Sequence, residues 1–344
     1  MGAGMLANIE PVSSSELFDL PDAYRTIGVA RNVDYSPLRA IMDWRRQGKR
    51  ICLVTLVNVE GSGPRSVGSQ LAVSDAGDIA GYLTGGCLER ELALVAYQTM
   101  QTGRRRIERY GRGSRYIDLR LPCGSGIDVL FDPLISDGVI GTAVDHLSKR
   151  QPFELVTDFG GETAVLAWQH PAEFARQDAI GDGRFTKLYL PPVQVNLFGE
   201  GFTPIQLAKL LDGLGILCRV HSDERLTLLA AEAIGIPVLP MSSYGIHSED
   251  PWTASATLFH SHDREALLLM QLLRGQSFYV GAIGGRQAAA RRAAQMLAKG
   301  LDKKDLDRLV APAGSISSAR TATELALGLT TQILDTARRL RRVL

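Results

Sequence analysis

The chain has 344 residues, which at about 150 residues per domain predicts two domains rather than one. Hydrophobic residues make up 45% of it and charged residues 22%, so each domain can bury a full core and wholesale disorder is excluded. The formal net charge of +1 argues against a dedicated nucleic-acid or membrane-surface protein. No apolar run approaches the roughly 18 residues that span a bilayer, and no secretory signal opens the chain, so we expect a cytoplasmic protein.

The first 190 residues predict an arm followed by an α/β domain. Residues 1–36 show no sustained period and predict an N-terminal arm. A helix from residue 37 leads to a strand at 51–59, and two short strands form a hairpin that turns at 75–78. The remaining predicted elements are a helix from residue 88, strands at 116–121 and 127–131, a helix at 139–147, and strands at 153–159, 163–168 and 185–190. Pro191 and Pro192 predict a linker.

From residue 193 the pattern changes to alternating strands and helices, which is typical of a parallel sheet with right-handed crossovers. The predicted strands are 193–198, 217–221, 237–241, 257–260 and 278–283, and the predicted helices start near 203, 225, 264 and 286, with two more at 303–310 and 323–340. We therefore predict an α/β fold: an N-terminal α/β domain (37–190) followed by a C-terminal Rossmann-like parallel-sheet domain (193–344).

The C-terminal domain opens on a strand, a G-x-G turn at Gly199 and Gly201, and a helix, which is most of a dinucleotide-binding fingerprint. Asp223 follows the second strand, where a carboxylate can accept hydrogen bonds from ribose hydroxyls, and His262 follows the fourth strand at the carboxyl edge of the sheet. Pro204 replaces the third glycine and removes an N–H from the helix end that holds a pyrophosphate. A nucleotide site and a scaffold whose glycines serve geometry alone both stay open.

A glycine-rich loop follows the first strand of the N-terminal domain. Gly61 and Ser62 allow several backbone N–H groups to converge on an anion. Arg65 adds a planar guanidinium, whose two parallel donors match two oxygens of a phosphate. The loop is therefore a candidate phosphate site, although a simple surface turn explains the same residues.

The four cysteines form no C-x-x-C pair and no cluster at zinc-ligand spacing. Cys52 and Cys218 lie in apolar, strand-like runs, which predicts core positions. Cys87 falls at a helix N-terminus, where the dipole favours the thiolate and the nearby Glu89 opposes it. Cys123 lies on a second glycine-rich turn. Ligand or sulfur chemistry at Cys87 and Cys123, and a plain capping or packing role, both stay open.

As a set, these motifs resemble the XdhC/CoxI family, the maturation factors of xanthine dehydrogenase and related molybdenum hydroxylases. The family's G-S-x-P-R-x-x-G loop, G-G-C-x-E turn and L-P-C-G turn occur in that order at 61–68, 85–89 and 121–124. The second half agrees at Gly199, Gly201, Asp223, Arg225, His262 and the glycines near residue 284. Pro204 and the serines between 315 and 318 depart from the family's pattern.

The resemblance implies a factor that binds the molybdenum cofactor (molybdopterin) as cargo, protects it while its terminal sulfido ligand is installed, and delivers it to an apo molybdenum hydroxylase. Such a factor is an accessory protein more than a catalyst. It would work with a sulfur-donating cysteine desulfurase, form a homodimer, and bind neither nucleic acid nor membrane. The alternatives are an NAD(P)-dependent oxidoreductase that uses the Rossmann-like domain, and a purely structural dimeric scaffold.

A molybdopterin offers a phosphate to the Arg65 loop and a soft metal-dithiolene centre to a thiol. We expect Cys87, Arg65 and Glu89, with Cys123, to form the cofactor site near the interface of the two domains. The full set of expected cofactor-binding residues is Cys87, Arg65, Glu89, Gly61, Ser62, Gly85, Gly86, Cys123, Gly199, Gly201, Asp223 and His262.

Overall fold

The structure, a computed structural model, describes residues 37–62, 65–84, 88–114, 124–167, 179–244, 249–259 and 265–340. Backbone packing divides the chain into two units, Met1–Tyr189 and Leu190–Leu344. The predicted arm at 1–36 and the predicted strand at 116–121 lie outside the described residues. None of the helices in those described ranges is both long enough and apolar enough to cross a membrane.

A five-stranded antiparallel sheet forms the centre of the first unit. Its strands are β1 (Ile51–Glu60), β2 (Gln70–Ser74), β3 (Ile79–Gly81), β4 (Arg106–Gly111) and β5 (Gly126–Asp132), and its helices are α1 (Pro37–Arg46), α2 (Glu89–Thr102) and α3 (Asp137–Ser148). The strand order is β3-β2-β1-β5-β4, so β1 is central. The first seven residues of β1 are buried on both faces, because α2 packs on one face and α1 and α3 lie on the other.

Local sequence signals fix the ends of two of these helices. α2 carries acidic side chains in its first turn and ends at Gly103, whose φ of 62° suits glycine. α3 begins after Ser136, whose side-chain oxygen accepts the N–H of Val139 at 3.3 Å. The end of α2 and the start of α3 therefore fall where capping chemistry predicts.

A second antiparallel sheet completes the first unit. It contains β6 (Phe153–Asp158), β7 (Thr163–Ala167), β8 (Ala179–Gly181) and β9 (Arg184–Tyr189) in the order β7-β6-β9-β8. The sequence pattern missed β8 and, in the first sheet, β4. Two of the three inward positions of β4 are Arg106 and Glu108, which are buried and joined by a 2.8 Å ion pair, so only Tyr110 gives an apolar signal on that face.

The second unit is a six-stranded parallel sheet with helices on both faces. Its strands are β10 (Gln194–Gly199), β11 (Leu217–His221), β12 (Val238–Leu239), β13 (Thr253–Leu258), β14 (Tyr279–Ala282) and β15 (Leu309–Val310), and its helices are α4 (Phe202–Gly213), α5 (Arg225–Glu232), α6 (Glu265–Arg274), α7 (Arg286–Ala298), α8 (Lys303–Leu306) and α9 (Ala322–Arg339). The strand order is β12-β11-β10-β13-β14-β15, which confirms the predicted α/β fold and its Rossmann-like second part.

Two predicted elements of this unit are wrong in extent. The strand predicted at 257–260 is β13, which runs from Thr253 to Leu258. Its first residues are Thr, Ala and Ser, and these small side chains are fully buried without giving an apolar signal. The helix predicted at 303–310 ends at Leu306, because Leu309 and Val310 pair with β14 as a short strand.

Candidate functional site

Two of the three motif loops of the first unit leave the five-stranded sheet at the same end of its strands. We call this end, where β1 ends and β5 begins, the edge. β1 ends at Glu60, which pairs with Gly126 at the start of β5, so the loop after Glu60 and the turn before Gly126 leave the same edge. A Cβ on Gly61 would lie 3.8 Å from the Cα of Ser125, in ordinary contact. Gly61 also has a φ of 87°, which favours glycine at this position.

Arg65 connects this edge to the third motif. Its guanidinium carbon lies 3.9 Å from the centroid of the Tyr82 ring, and Tyr82 directly follows β3. Stacking on the ring holds the guanidinium in one plane and leaves its N–H groups along the rim of that plane. Arg65 and Ser62 are both exposed, so this edge presents a cationic fork to solvent beside Tyr82.

Glu89 closes a hydrogen-bonded link between Thr84 and the start of α2, on the two described sides of the G-G-C-x-E motif. Its carboxylate is buried and accepts the N–H groups of Leu83 at 3.0 Å and Thr84 at 2.7 Å, and also the Thr84 hydroxyl at 2.7 Å. The N–H of Leu88 donates to the Thr84 hydroxyl oxygen at 2.9 Å. Burial alone would raise the pKa of Glu89, but the hydrogen bonds from Thr84 and Leu83 outweigh it and hold that pKa below its usual value.

Five predicted site residues, Gly85, Gly86, Cys87, Cys123 and His262, lie outside the described residues. The structure does describe their neighbours Thr84, Leu88 and Gly124. The other two thiols are core, as predicted: Cys52 and Cys218 are buried, and desolvation raises both pKa values, that of Cys218 to about 12.

An ion-pair cluster beside the same edge was missed in the sequence because it lies on β4. Arg109 hydrogen-bonds to the Asp128 carboxylate at 3.1 Å and also to the carboxylate of Glu60. Burial would lower the pKa of Arg109, but Asp128 and Glu60 raise it above its usual value. A Cβ on Gly126 would lie 2.5 Å from an Arg109 nitrogen, so the guanidinium fills the space above that glycine.

The predicted nucleotide residues of the second unit have structural roles in the described fold. A Cβ on Gly199 would lie 2.6 Å from the carbonyl oxygen of Leu258, so β10 can approach β13 only with glycine there. Gly201 has a φ of 83°, and its N–H donates to the Glu224 carboxylate at 3.1 Å and the Thr227 hydroxyl at 2.8 Å. Asp223 is exposed and accepts the N–H of Met241 at 3.1 Å.

His221 was not singled out in the sequence, and it lies at the carboxyl end of β11. Its ring stacks on Phe198 with a centroid distance of 4.6 Å and meets the edge of Tyr244 at 5.5 Å. Within the described part of the chain neither ring nitrogen has a hydrogen-bond partner. Burial, aided by Arg219, lowers the pKa of His221 to about 4, so this imidazole is neutral at neutral pH.

The described side chains offer no group of three or more His, Cys, Asp or Glu residues placed to hold a metal ion. A cavity of about 340 Å³ lies in the second unit between α7 and the chain near Pro312. Arg286 and alanines of α7 line it, and none of the predicted site residues does.

Comparison with known proteins matches both parts of the chain. Residues 44–111 match the model of the XdhC and CoxI family, and residues 195–333 match that of the XdhC Rossmann domain. The chain is 27% identical over 314 residues to the molybdenum cofactor insertion chaperone PaoD of Escherichia coli strain K12, which is 91% of this chain and 89% of PaoD.

The fold is similar to that of a Bacillus halodurans protein whose crystal structure is described as a xanthine dehydrogenase. The TM-score is 0.69 at 19% identity, over 88% of this chain and 96% of the other, which shows a common fold. One family model falls on each unit, and the first of them covers the motifs at 61–68 and 85–89. The chain therefore belongs to the XdhC/CoxI family.

Proposed function

We propose that the chain is a maturation factor for the molybdenum cofactor. It binds the cofactor as cargo, protects it while the terminal sulfido ligand is installed, and delivers it to an apo molybdenum hydroxylase of the xanthine dehydrogenase type. A cysteine desulfurase supplies the sulfur, and the factor works as a cytoplasmic homodimer. The observation that carries the proposal is that described residues flanking the three motifs, namely Glu60, Tyr82 and Gly126, lie at the same end of the strands of the first sheet, where Arg65 lies over the Tyr82 ring.

The edge offers two kinds of contact that the cofactor needs: hydrogen-bond donors for its phosphate and a thiol for its metal centre. The Arg65 fork suits the cofactor's phosphate, and the backbone N–H groups of glycine-rich loops add neutral donors around it. A thiol suits the soft metal-dithiolene centre. The residues assigned to this site are Arg65, Cys87, Cys123, Gly61, Ser62, Gly85, Gly86 and Glu89.

The thiols available for this role are Cys87 and Cys123. The other two cysteines of the chain, Cys52 and Cys218, are buried, and burial raises their pKa values, so neither offers a thiolate at neutral pH. The relative PaoD, a molybdenum cofactor insertion chaperone, supports the same cargo.

The second unit has a smaller part in the proposal. Asp223 and His262 are assigned as contacts to the cofactor at the carboxyl edge of the parallel sheet. Gly199 and Gly201 are assigned to shaping that edge. The NAD(P)-dependent oxidoreductase alternative loses support, because the Gly201 N–H already donates to Glu224 and Thr227.

Cofactor retention tests the assignment. The purified chain is mixed anaerobically with excess molybdenum cofactor, filtered, and assayed for pterin and molybdenum per chain. We expect stoichiometric retention by the wild type and its loss in Cys87→Ser. Arg65→Ala should weaken binding by roughly 10- to 100-fold, as for the loss of one or two charged hydrogen bonds.

Matched controls separate the site from general damage. Cys218→Ala removes a buried thiol of the second unit, and Arg50→Ala removes a cation that pairs with Asp75 at the opposite end of β1. Both should retain the cofactor. Wild-type affinity in both Cys87→Ser and Arg65→Ala would end the assignment.

A further inference from the structure

A carboxylate of the chain itself fills the G-x-G turn of the second unit. Glu224 accepts the N–H of Gly201 at 3.1 Å, and the Thr227 hydroxyl, which also accepts that N–H at 2.8 Å, donates to the same carboxylate oxygen. In a dinucleotide-binding domain the N–H groups at this turn face the pyrophosphate. Here the anion that the Gly201 N–H meets is a side chain.

Neighbouring groups hold this carboxylate in position. The Ser222 hydroxyl oxygen accepts the N–H of Glu224 at 3.1 Å, which fixes the backbone at the start of α5. Thr227 is buried in the first turn of α5, so its hydroxyl has a defined place beside Gly201. The contact is therefore built from two successive elements, the end of β11 and the start of α5.

The local charge also opposes a pyrophosphate. Glu200 lies inside the turn and is exposed, and Glu224 follows β11 and accepts the Gly201 N–H, so the turn carries two acidic residues and no basic one. Arg225 is the exposed cation that follows them in sequence. Pro204 in the first turn of α4 has no N–H to donate.

Neither glycine of the turn needs a ligand to explain it. Gly199 allows β10 to approach Leu258, and Gly201 takes a positive φ that suits glycine. The residues present thus do not fit a dinucleotide, although the fold is the one that commonly binds it.

We propose that Glu224 takes the place of the pyrophosphate in this Rossmann-like unit and thereby excludes dinucleotides from it. Glu224 is the residue that determines this specificity, and the unit serves as a scaffold closed by its own side chain. The inference concerns the second unit alone and does not depend on the cofactor assignment in the first unit.

Titration calorimetry on the full chain tests the exclusion. The wild type is titrated with NAD, NADH, NADP, NADPH, ADP and inorganic pyrophosphate, and we expect no binding. Glu224→Ala removes the internal anion and leaves the Gly201 N–H and the Thr227 hydroxyl for an external one. This variant should bind ADP and pyrophosphate at least about tenfold more tightly than the wild type does, since it regains donors for a charged acceptor.

Two further variants make every outcome decisive. Glu232→Ala removes the same charge at the far end of α5 and should behave as the wild type does. Glu224→Gln keeps the shape of the side chain without the charge, and it replaces the alanine variant if that one does not fold. Dinucleotide binding by the wild type overturns the proposal, and so does the absence of any gain in the folded position-224 variant.

Discussion

At the scale of single residues, Glu89 closes the link between the end of the β3 segment and the start of α2. Its two oxygens serve the N–H groups of Leu83 and Thr84 and the Thr84 hydroxyl, all in a buried setting. Glu89→Ala leaves these donors unsatisfied, so we expect a loss of about 2–4 kcal/mol in the free energy of unfolding. Urea unfolding at neutral pH measures it.

The matched control is Glu91→Ala in the same helical turn. Burial raises the pKa of Glu91, so its ionised form gains no comparable support from hydrogen bonds, and its removal should cost less. Equal losses in the two variants would contradict the closing role of Glu89.

Glu89 also predicts a dependence on acid. Its pKa is lowered in the fold, so its contribution is present in full above the unfolded-state value of about 4.3 and is lost as the pH falls through the folded-state value. Glu89→Gln cannot titrate at this position. The urea midpoint of the variant should therefore change less between neutral pH and about pH 3.5 than that of the wild type. A steep wild-type slope retained in Glu89→Gln would assign the acid sensitivity to other carboxylates.

His221 gives a second case of acid sensitivity, in which the group is a base and its pKa is lowered. In the unfolded chain it binds a proton near 6.5, and in the fold near 4, so the unfolded state gains protons first as the pH falls through this window. The unfolding free energy should therefore fall by about 1.4 kcal/mol per pH unit between these values. In His221→Leu an apolar side chain packs against Phe198 and cannot bind a proton. This variant should lose the pH dependence of the unfolding free energy that urea titrations at pH 7.5 and 5 measure in the wild type. Identical slopes in the wild type and the variant would show that folding does not lower the pKa of His221.

At the scale of elements, the packing around two helical glycines predicts opposite effects of one substitution. A Cβ on Gly141 in α3 meets no atom within 4 Å, whereas one on Gly328 in α9 would lie 3.1 Å from the backbone nitrogen of Ile316. Gly141→Ala should stabilise the fold by about 0.5–1 kcal/mol. Gly328→Ala should destabilise it by about 1–3 kcal/mol. The backbone at Ser315 and Ile316, where the Ser315 N–H donates to the Gly328 carbonyl oxygen, must move to make room for the methyl group. Thermal unfolding of the two variants checks the pair, and the same sign for both would contradict it.

Elements also show how far the sequence could predict the fold. The alternating strands and helices of the second unit were predictable, because apolar runs and turn glycines mark them. β4 was not, since its buried Arg106 and Glu108 pair with each other instead of giving an apolar period. β13 was predicted short for a related reason: its buried residues are small and polar enough to resemble a loop.

The candidate site shows the same limit. The residues on each motif loop could be named from spacing alone, but the strand order β3-β2-β1-β5-β4 that places those loops at one edge rests on long-range pairing. The acidic residue at the G-x-G turn is a second example. Spacing pointed to Asp223 as a carboxylate that binds a ribose, whereas the carboxylate that accepts the Gly201 N–H belongs to Glu224. The residue one position further along the chain thus blocks the ligand that the spacing predicts.

At the scale of the whole molecule, each unit has the hydrophobic clusters that a folding domain needs. The clusters around β1 draw their residues from the first unit, and those on the two faces of the parallel sheet draw theirs from the second. Residues 37–189 and 190–344, expressed separately, should therefore each fold with a cooperative urea transition.

Separate expression also decides where the cofactor is held. The three motif loops all belong to the first unit, so residues 37–189 should retain the molybdenum cofactor after filtration and residues 190–344 should not. Arg65→Ala in the isolated first unit serves as the matched negative control. If both pieces fold and neither retains the cofactor, whereas the full chain does, then the site needs residues of both units, and Asp223 and His262 become the first positions to substitute.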